Sequence, residues 1–265
     1  MATLAESVPV RRDDRFFLKM AIAMTAIVFL GFSFHLGMGR STFARPWYVH
    51  AHAVVFMGWV VINLLQNVFA TYGMTAWHRR LGWLATGWVA AMIVLGCTVT
   101  LALVRHGQVP FFFTPQQFLV FDPMTLFAFA GLTAAAVTLR RKTDWHRRLH
   151  FCAMTLMMGP ALGRALPSPL FMPYAFEAIF VACLVFPLIG VIADIRRTGA
   201  VHPAWRWGIG TLFATLALIE VITFSPVGDA LYRAATAGTP GAEIAPLEFP
   251  PSPFTPLRTG PPASI

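Results

Sequence analysis

The sequence predicts an all-α fold, a polytopic membrane helical bundle with seven transmembrane helices. Three observations predict it. Apolar residues make up 57% of the 265 positions and charged residues 12%, with a mean hydropathy of +0.66, a balance that a water-soluble core does not reach. Seven apolar runs approach or exceed the roughly 20 residues that a helix needs to cross a hydrocarbon core. The arginines that give the net charge of +9 lie in the gaps between those runs. Charge so placed orients a chain in a membrane, so nucleic acid is not an expected partner and the lipid bilayer is.

In chain order the predicted spans are Phe16–Met38, Val49–Thr71, Leu81–Val104, Phe118–Leu139, Leu149–Leu166, Phe171–Ile195 and Trp207–Phe224. The first follows a basic segment without a small-residue cleavage motif and reads as an uncleaved anchor. The fifth, with the seventh the shortest of them, contains Gly159 and Pro160. Proline removes a backbone donor and crowds the preceding turn, so a kink is expected there. Cys97, Cys152 and Cys183 fall inside spans with no CxxC spacing and read as small buried hydrophobes.

An N-terminus on the cytoplasmic side puts Arg11, Arg12, Arg15, Lys19, Arg79, Arg80, Arg140, Arg141, Lys142, Arg147, Arg148, Arg196, Arg197 and Arg206 inside. Arg40, Arg45, Arg105, Arg164, Arg233 and Arg258 remain outside. This excess of inner cations fixes the orientation, with the C-terminus outside. The location implied is a bacterial inner membrane, crossed many times. Residues 1–226 then form the transmembrane domain. Residues 227–265 form an extramembrane tail that is rich in proline from Thr236 onward (Pro240, Pro246, Pro250, Pro251, Pro253, Pro256, Pro261, Pro262) and is expected to be extended.

The pentapeptide Trp-His-Arg-Arg-Leu occurs twice, at Trp77–Leu81 and Trp145–Leu149. Each copy stands in a short polar gap, so spans two and three form one hairpin and spans four and five a second, parallel copy. At such a pivot Trp and Arg are expected at headgroup level as interfacial anchors.

Polar groups within spans carry the chemistry, because each costs several kcal/mol unless partnered. An outer set comprises His35, His50, His52, Asp122, Arg164, Glu177 and Glu220. Arg164 is expected to pair with Asp122 or Glu177 and to line a ligand cavity with His50 and Gln66. His50 and His52 diverge on a helix, and the deeper His52 is the inward candidate for holding a cofactor. An inner set comprises His78, His146 and His150, with Asn63 and Gln66 nearby. His146 and His150 are spaced i, i+4 and share a helix face, so His78, His146 and His150 are candidate ligands for a transition metal. Alternatively, His150 faces a histidine of another helix across a haem b. No phosphate loop, Ser-His-Asp arrangement or HExxH motif is present, so the catalytic residues, if any, are not identified.

The run from His50 through Gln66 to His78-Arg79-Arg80-Leu81-Gly82, then His146-Arg147-Arg148 and later Arg164, is similar to a group of bacterial multi-pass membrane proteins of unknown function. These open a helix with His, carry Gln near its inner end, and continue with His-Arg-x-Leu-Gly and a second His-Arg-Arg. The resemblance covers spans two to five and implies a helical bundle. More distantly the chain resembles transmembrane b-type cytochromes, which implies His78 and His150 as an inner haem pair. The outer pair is missing, since span four offers only Met124 at the required depth.

Three functions remain open on this reading. The first is membrane electron transfer with haem b or a metal, which as an enzyme would be a membrane oxidoreductase exchanging electrons with a quinone-like carrier. The second is a transporter or small-ligand-binding protein that uses the outer polar cavity for a small lipophilic ligand. The third is a scaffold contacting partners through its tail.

Overall fold

The computed structural model describes residues 12–40 and 43–251, with side chains from Arg15 onward. Among these residues it is all-α. The helices are α1 (Arg12–Gly37), α2 (Trp47–Thr71), α3 (Thr75–Arg105), α4 (Pro115–Thr138), α5 (Thr143–Leu156), α6 (Gly159–Ala165), α7 (Ala175–Thr198), α8 (Pro203–Thr223) and α9 (Pro226–Thr236). Arg11, Arg258 and the last four tail prolines lie outside the described residues.

Six helices are long and apolar enough to cross a membrane: α1 from Arg15, α2, α3, α4, α7 and α8. Their outward faces are apolar, with Leu30 68% and Val221 67% exposed. Such surfaces suit lipid and would be costly in water, so the chain is a multi-pass membrane protein. The fifth expected span is not one helix. It is divided into α5 and α6 at Met157–Met158, where Pro160 has no N–H to give to the Leu156 carbonyl and its ring crowds that turn.

Helix ends follow local chemistry. Thr114 caps α4 by accepting from the Gln117 amide at 3.3 Å, with Pro115 in the first turn. His202 caps α8, its Nδ1 accepting from the Ala204 amide at 3.1 Å ahead of Pro203. The α7 helix stops at Gly199, whose φ of 73° is the left-handed conformation glycine adopts without strain.

Helices α2 and α3 pack as one hairpin and α4 and α5 as another, with α3 against α4 between them. Helix α8 packs on α4 and α5, α1 on α2 and α6, and α7 on α5 and α6. Some of these contacts need glycine: a Cβ on Gly190 would lie 2.2 Å from the Trp205 ring, and one on Gly208 would lie 2.3 Å from Cys152 Sγ. Close approach through small residues is how helices pack without water to drive them together.

The repeated pivots differ. Trp77 is exposed with the Arg80 guanidinium 5.6 Å above its ring. Arg148 departs from that expectation. It is 4% exposed and forms a two-point ion pair with Asp194 of α7, Nε to Oδ2 at 2.7 Å and Nη2 to Oδ1 at 2.9 Å. Trp205 Nε1 of α8 donates to the same Oδ2 at 2.7 Å, and Arg197 pairs with Oδ1. Asp194 thereby joins α5, α7 and α8. The cation also lies over Phe17 of α1 at 5.8 Å.

The chain beyond α8 folds back on the bundle. Helix α9 touches α3, α4 and α8. Buried Gln116 donates to the Thr223 carbonyl at 2.6 Å and to Asp229 Oδ1 at 2.9 Å, and its amide donates to the Pro246 carbonyl at 2.9 Å. Much of the segment expected to be extended is therefore helical or docked as far as Pro246.

Asp194→Asn should cost about 3–5 kcal/mol, the penalty for leaving a buried partner charge uncompensated. Arg148→Met with Asp194→Leu should recover most of that loss. Equilibrium unfolding in detergent measures both. At the pivot loops, His202 is held below the ordinary histidine range, first by burial and then by the Arg148 guanidinium. Burial pushes the Asp144 carboxyl up, but Arg147 and Arg148 outweigh it and hold it below the usual carboxylate range. Both depressed groups stabilise the fold above their unfolded values. As pH falls, His202 withdraws its share first, starting near about pH 6.5, because protonation removes its capping lone pair. His202→Asn keeps a capping oxygen, so its melting temperature should fall less than that of the native chain between pH 7.5 and 5.

Candidate functional site

The inner histidines converge. The His78 and His146 rings are 6.1 Å apart, edge to face, and the His146 and His150 rings are 4.7 Å apart. Each pivot histidine uses Nδ1 on a backbone carbonyl of the helix before it, His78 on Gln66 at 3.3 Å and His146 on Ala136 at 2.8 Å. A carbonyl only accepts, so Nδ1 carries the proton in both rings and Nε2 is left as a lone pair. The duplicated pentapeptide thus yields two imidazoles of the same tautomer, and α5 adds His150 one turn deeper. His150 makes no hydrogen bond among the described residues.

This triad does not fit a haem. His78 and His150 would have to stand on opposite faces of one macrocycle, and the His146 ring contacts His78 and His150 alike. Nor do any three His, Cys, Asp or Glu side chains among the described residues converge closely enough to hold a metal ion. Gln66 belongs to this inner group rather than to the outer cavity, its Oε1 buried without a partner and its Nε2 close to Gly82.

The outer set separates into two groups on different faces of α4. The first surrounds Arg164. Its Cζ lies 4.3 Å over the Phe32 ring of α1, its Nη1 donates to the Pro160 carbonyl at 2.8 Å, and its Nε is buried with no partner. His35, His52 and Asp122 all act electrostatically on this guanidinium or feel its charge. The expected ion pair is absent: no carboxylate lies within 4 Å of Arg164 among the described residues. Asp122 instead accepts a short hydrogen bond from the Thr100 hydroxyl. His35 Nδ1 and His52 Nδ1 are also buried and unpartnered, and the His52 ring stacks on Phe56 at 4.1 Å.

The second group is Glu177, Glu220 and Gln117, where α7, α8 and α4 meet beside the stacked Phe121 and Phe176 rings. Glu177 is therefore separate from Arg164. His50 joins neither group; it is exposed and donates through Nε2 to the Phe43 carbonyl at 3.1 Å.

Sequence reasoning missed the Asp194 hub. Its signal was a single acidic residue one turn inside the basic end of an otherwise apolar span. Phe32 and Thr100, the contacts of Arg164 and Asp122, carried no signal, since a phenylalanine or threonine in a span is commonplace. Comparison with family models, with curated proteins and with solved structures finds no match for this chain.

Proposed function

We propose that this chain is a seven-crossing protein of a bacterial inner membrane that binds a small lipophilic ligand with an acidic head in the outer half of its bundle. The N-terminus is cytoplasmic, and α9 with the tail from residue 227 lies on the outer side. Helices α5 and α6 together make the fifth crossing. From Leu149, past the pivot, to Ala165 they rise about 25 Å at 1.5 Å per residue, close to a hydrocarbon core of about 30 Å.

One observation carries the ligand assignment: Arg164 is a half-buried cation over the Phe32 ring, with its Nε unpartnered and no carboxylate within 4 Å among the described residues. A guanidinium is always charged and offers a planar fork of donors, and in a membrane such a group faces a cavity or a partner. His35 and His52 add two unpartnered ring nitrogens, and the Phe32 and Phe56 rings supply an apolar wall. A carboxylate or similar oxyanion on an apolar body suits this lining. Asp122, engaged by Thr100, sets the far boundary and disfavours larger anionic heads. Transport and simple binding both follow from such a site.

A second reading, membrane redox chemistry, draws on the tautomers of the inner triad. Nδ1–H donation to a carbonyl is how metal-bound histidines are usually oriented. His78 and His146 would hold the ion, with His150 beside them, and the ion would supply one-electron chemistry.

Native mass spectrometry of the full chain from mild detergent should show a small acidic molecule that is lost at least tenfold in Arg164→Leu. Unchanged ligand content in Arg164→Leu would sink the ligand reading. For the redox reading, metal analysis should give one ion per chain, lost in both His78→Ala and His146→Ala. Finding no stoichiometric metal would sink it.

A further inference from the structure

We propose that the α1–α2 groove at the Arg15 end of α1 is a binding site for one anionic phospholipid. The groove has a volume of about 270 Å³ and is lined by Arg15, Leu18, Lys19 and Ile22 of α1 with Thr71 and Tyr72 of α2. The four α1 residues follow i, i+3, i+4, i+7 spacing, a single stripe on one helix face.

Their order along the stripe matches a lipid read from headgroup to tail. Arg15 and Lys19 stand in the first two turns of α1, where its apolar run begins. Ile22 follows a turn deeper and is 51% exposed, a bare apolar surface for an acyl chain. Tyr72 faces the cations from the end of α2 and is 65% exposed, placing its phenol at the depth where aromatic residues meet the membrane interface. Two cations one turn apart with a hydroxyl opposite suit a phosphodiester. Cations at this depth attract acidic lipids over neutral ones, and arginine binds phosphate through two parallel hydrogen bonds. The groove lies on the face that carries Arg79, Arg80 and Arg140–Lys142, so an acidic leaflet is the surface this end of the bundle meets. The occupant is a phospholipid rather than a free phosphate because the cations open onto Leu18 and Ile22, not onto water alone.

The full chain in nanodiscs of phosphatidylcholine with one-fifth phosphatidylglycerol provides the test. Delipidated stepwise and weighed by native mass spectrometry, the native chain should retain one phosphatidylglycerol after bulk lipid has left. Arg15→Gln with Lys19→Gln should lose it at least tenfold, and Ile22→Trp, which fills the acyl path without changing charge, should lose it too. Arg79→Gln with Arg80→Gln should keep it. Equal retention of phosphatidylcholine, equal loss in the Arg79 and Arg80 variant, or displacement by millimolar inorganic phosphate would each overturn the proposal. All three residues changed in the two groove variants are exposed, so size-exclusion elution reports whether each variant is folded before lipid is counted.

Discussion

The buried two-point pairing of Arg148 with Asp194 is the constraint on which the inner half of this bundle depends. Neither charge is tolerable alone at 4% and 1% exposure, so the two must meet, and the meeting fixes how α5 faces α7. Trp205 then has one place to put its indole N–H, on the same carboxylate, which positions α8. Gly190 removes the side chain that would collide with that indole. The aromatic face of Phe17 takes up the remaining side of the cation. Four helices are thus oriented around one carboxylate whose hydrogen-bond capacity is fully used, a condition under which buried charge specifies rather than weakens a fold.

From that fixed inner end the geometry of both candidate sites follows. Arg148 and Asp194 hold the first turns of α5, so His146 and His150 are presented toward His78 and not toward lipid. The break before Pro160 then redirects the chain. Helix α6 leaves the α4–α5 hairpin and packs on α1, which carries Arg164 onto Phe32. A straight helix continuing from α5 would present Arg164 elsewhere, and the outer polar group would lose its cation.

Much of the fold was legible in the sequence. The apolar runs predicted seven spans, six of which coincide with helices long and apolar enough to cross a membrane, and the basic pivots predicted two hairpins. Helical periodicity put His146 beside His150, and the repeat put His78 beside His146, so the inner triad was readable in advance. The kink at Pro160 was expected, though not that it would separate two helices. The outer set was harder. Depth along a span says which residues are level with one another but not which face of α4 each one meets, so Glu177 and Arg164 looked like partners and are not. Arg148 was misread for a related reason. An arginine in a repeated pivot has the same sequence signature at the headgroups as in a core, and only Asp194, far away in the chain, distinguishes the two.

The short α6 also bears on how such a protein is assembled. Seven residues are too few for an inserting chain to be recognised as a membrane segment on their own merit. What α6 has instead is a prepared surface: α1 precedes it by more than a hundred residues, and the backbone of Ala161 sits against Gly31 so closely that a Cβ there would be 2.7 Å from the carbonyl oxygen. Helix α1, made long before α6, is therefore the surface on which this short piece docks. Completion of the bundle is a docking event between distant parts of the chain, and it makes biogenesis sensitive to the retention of α1.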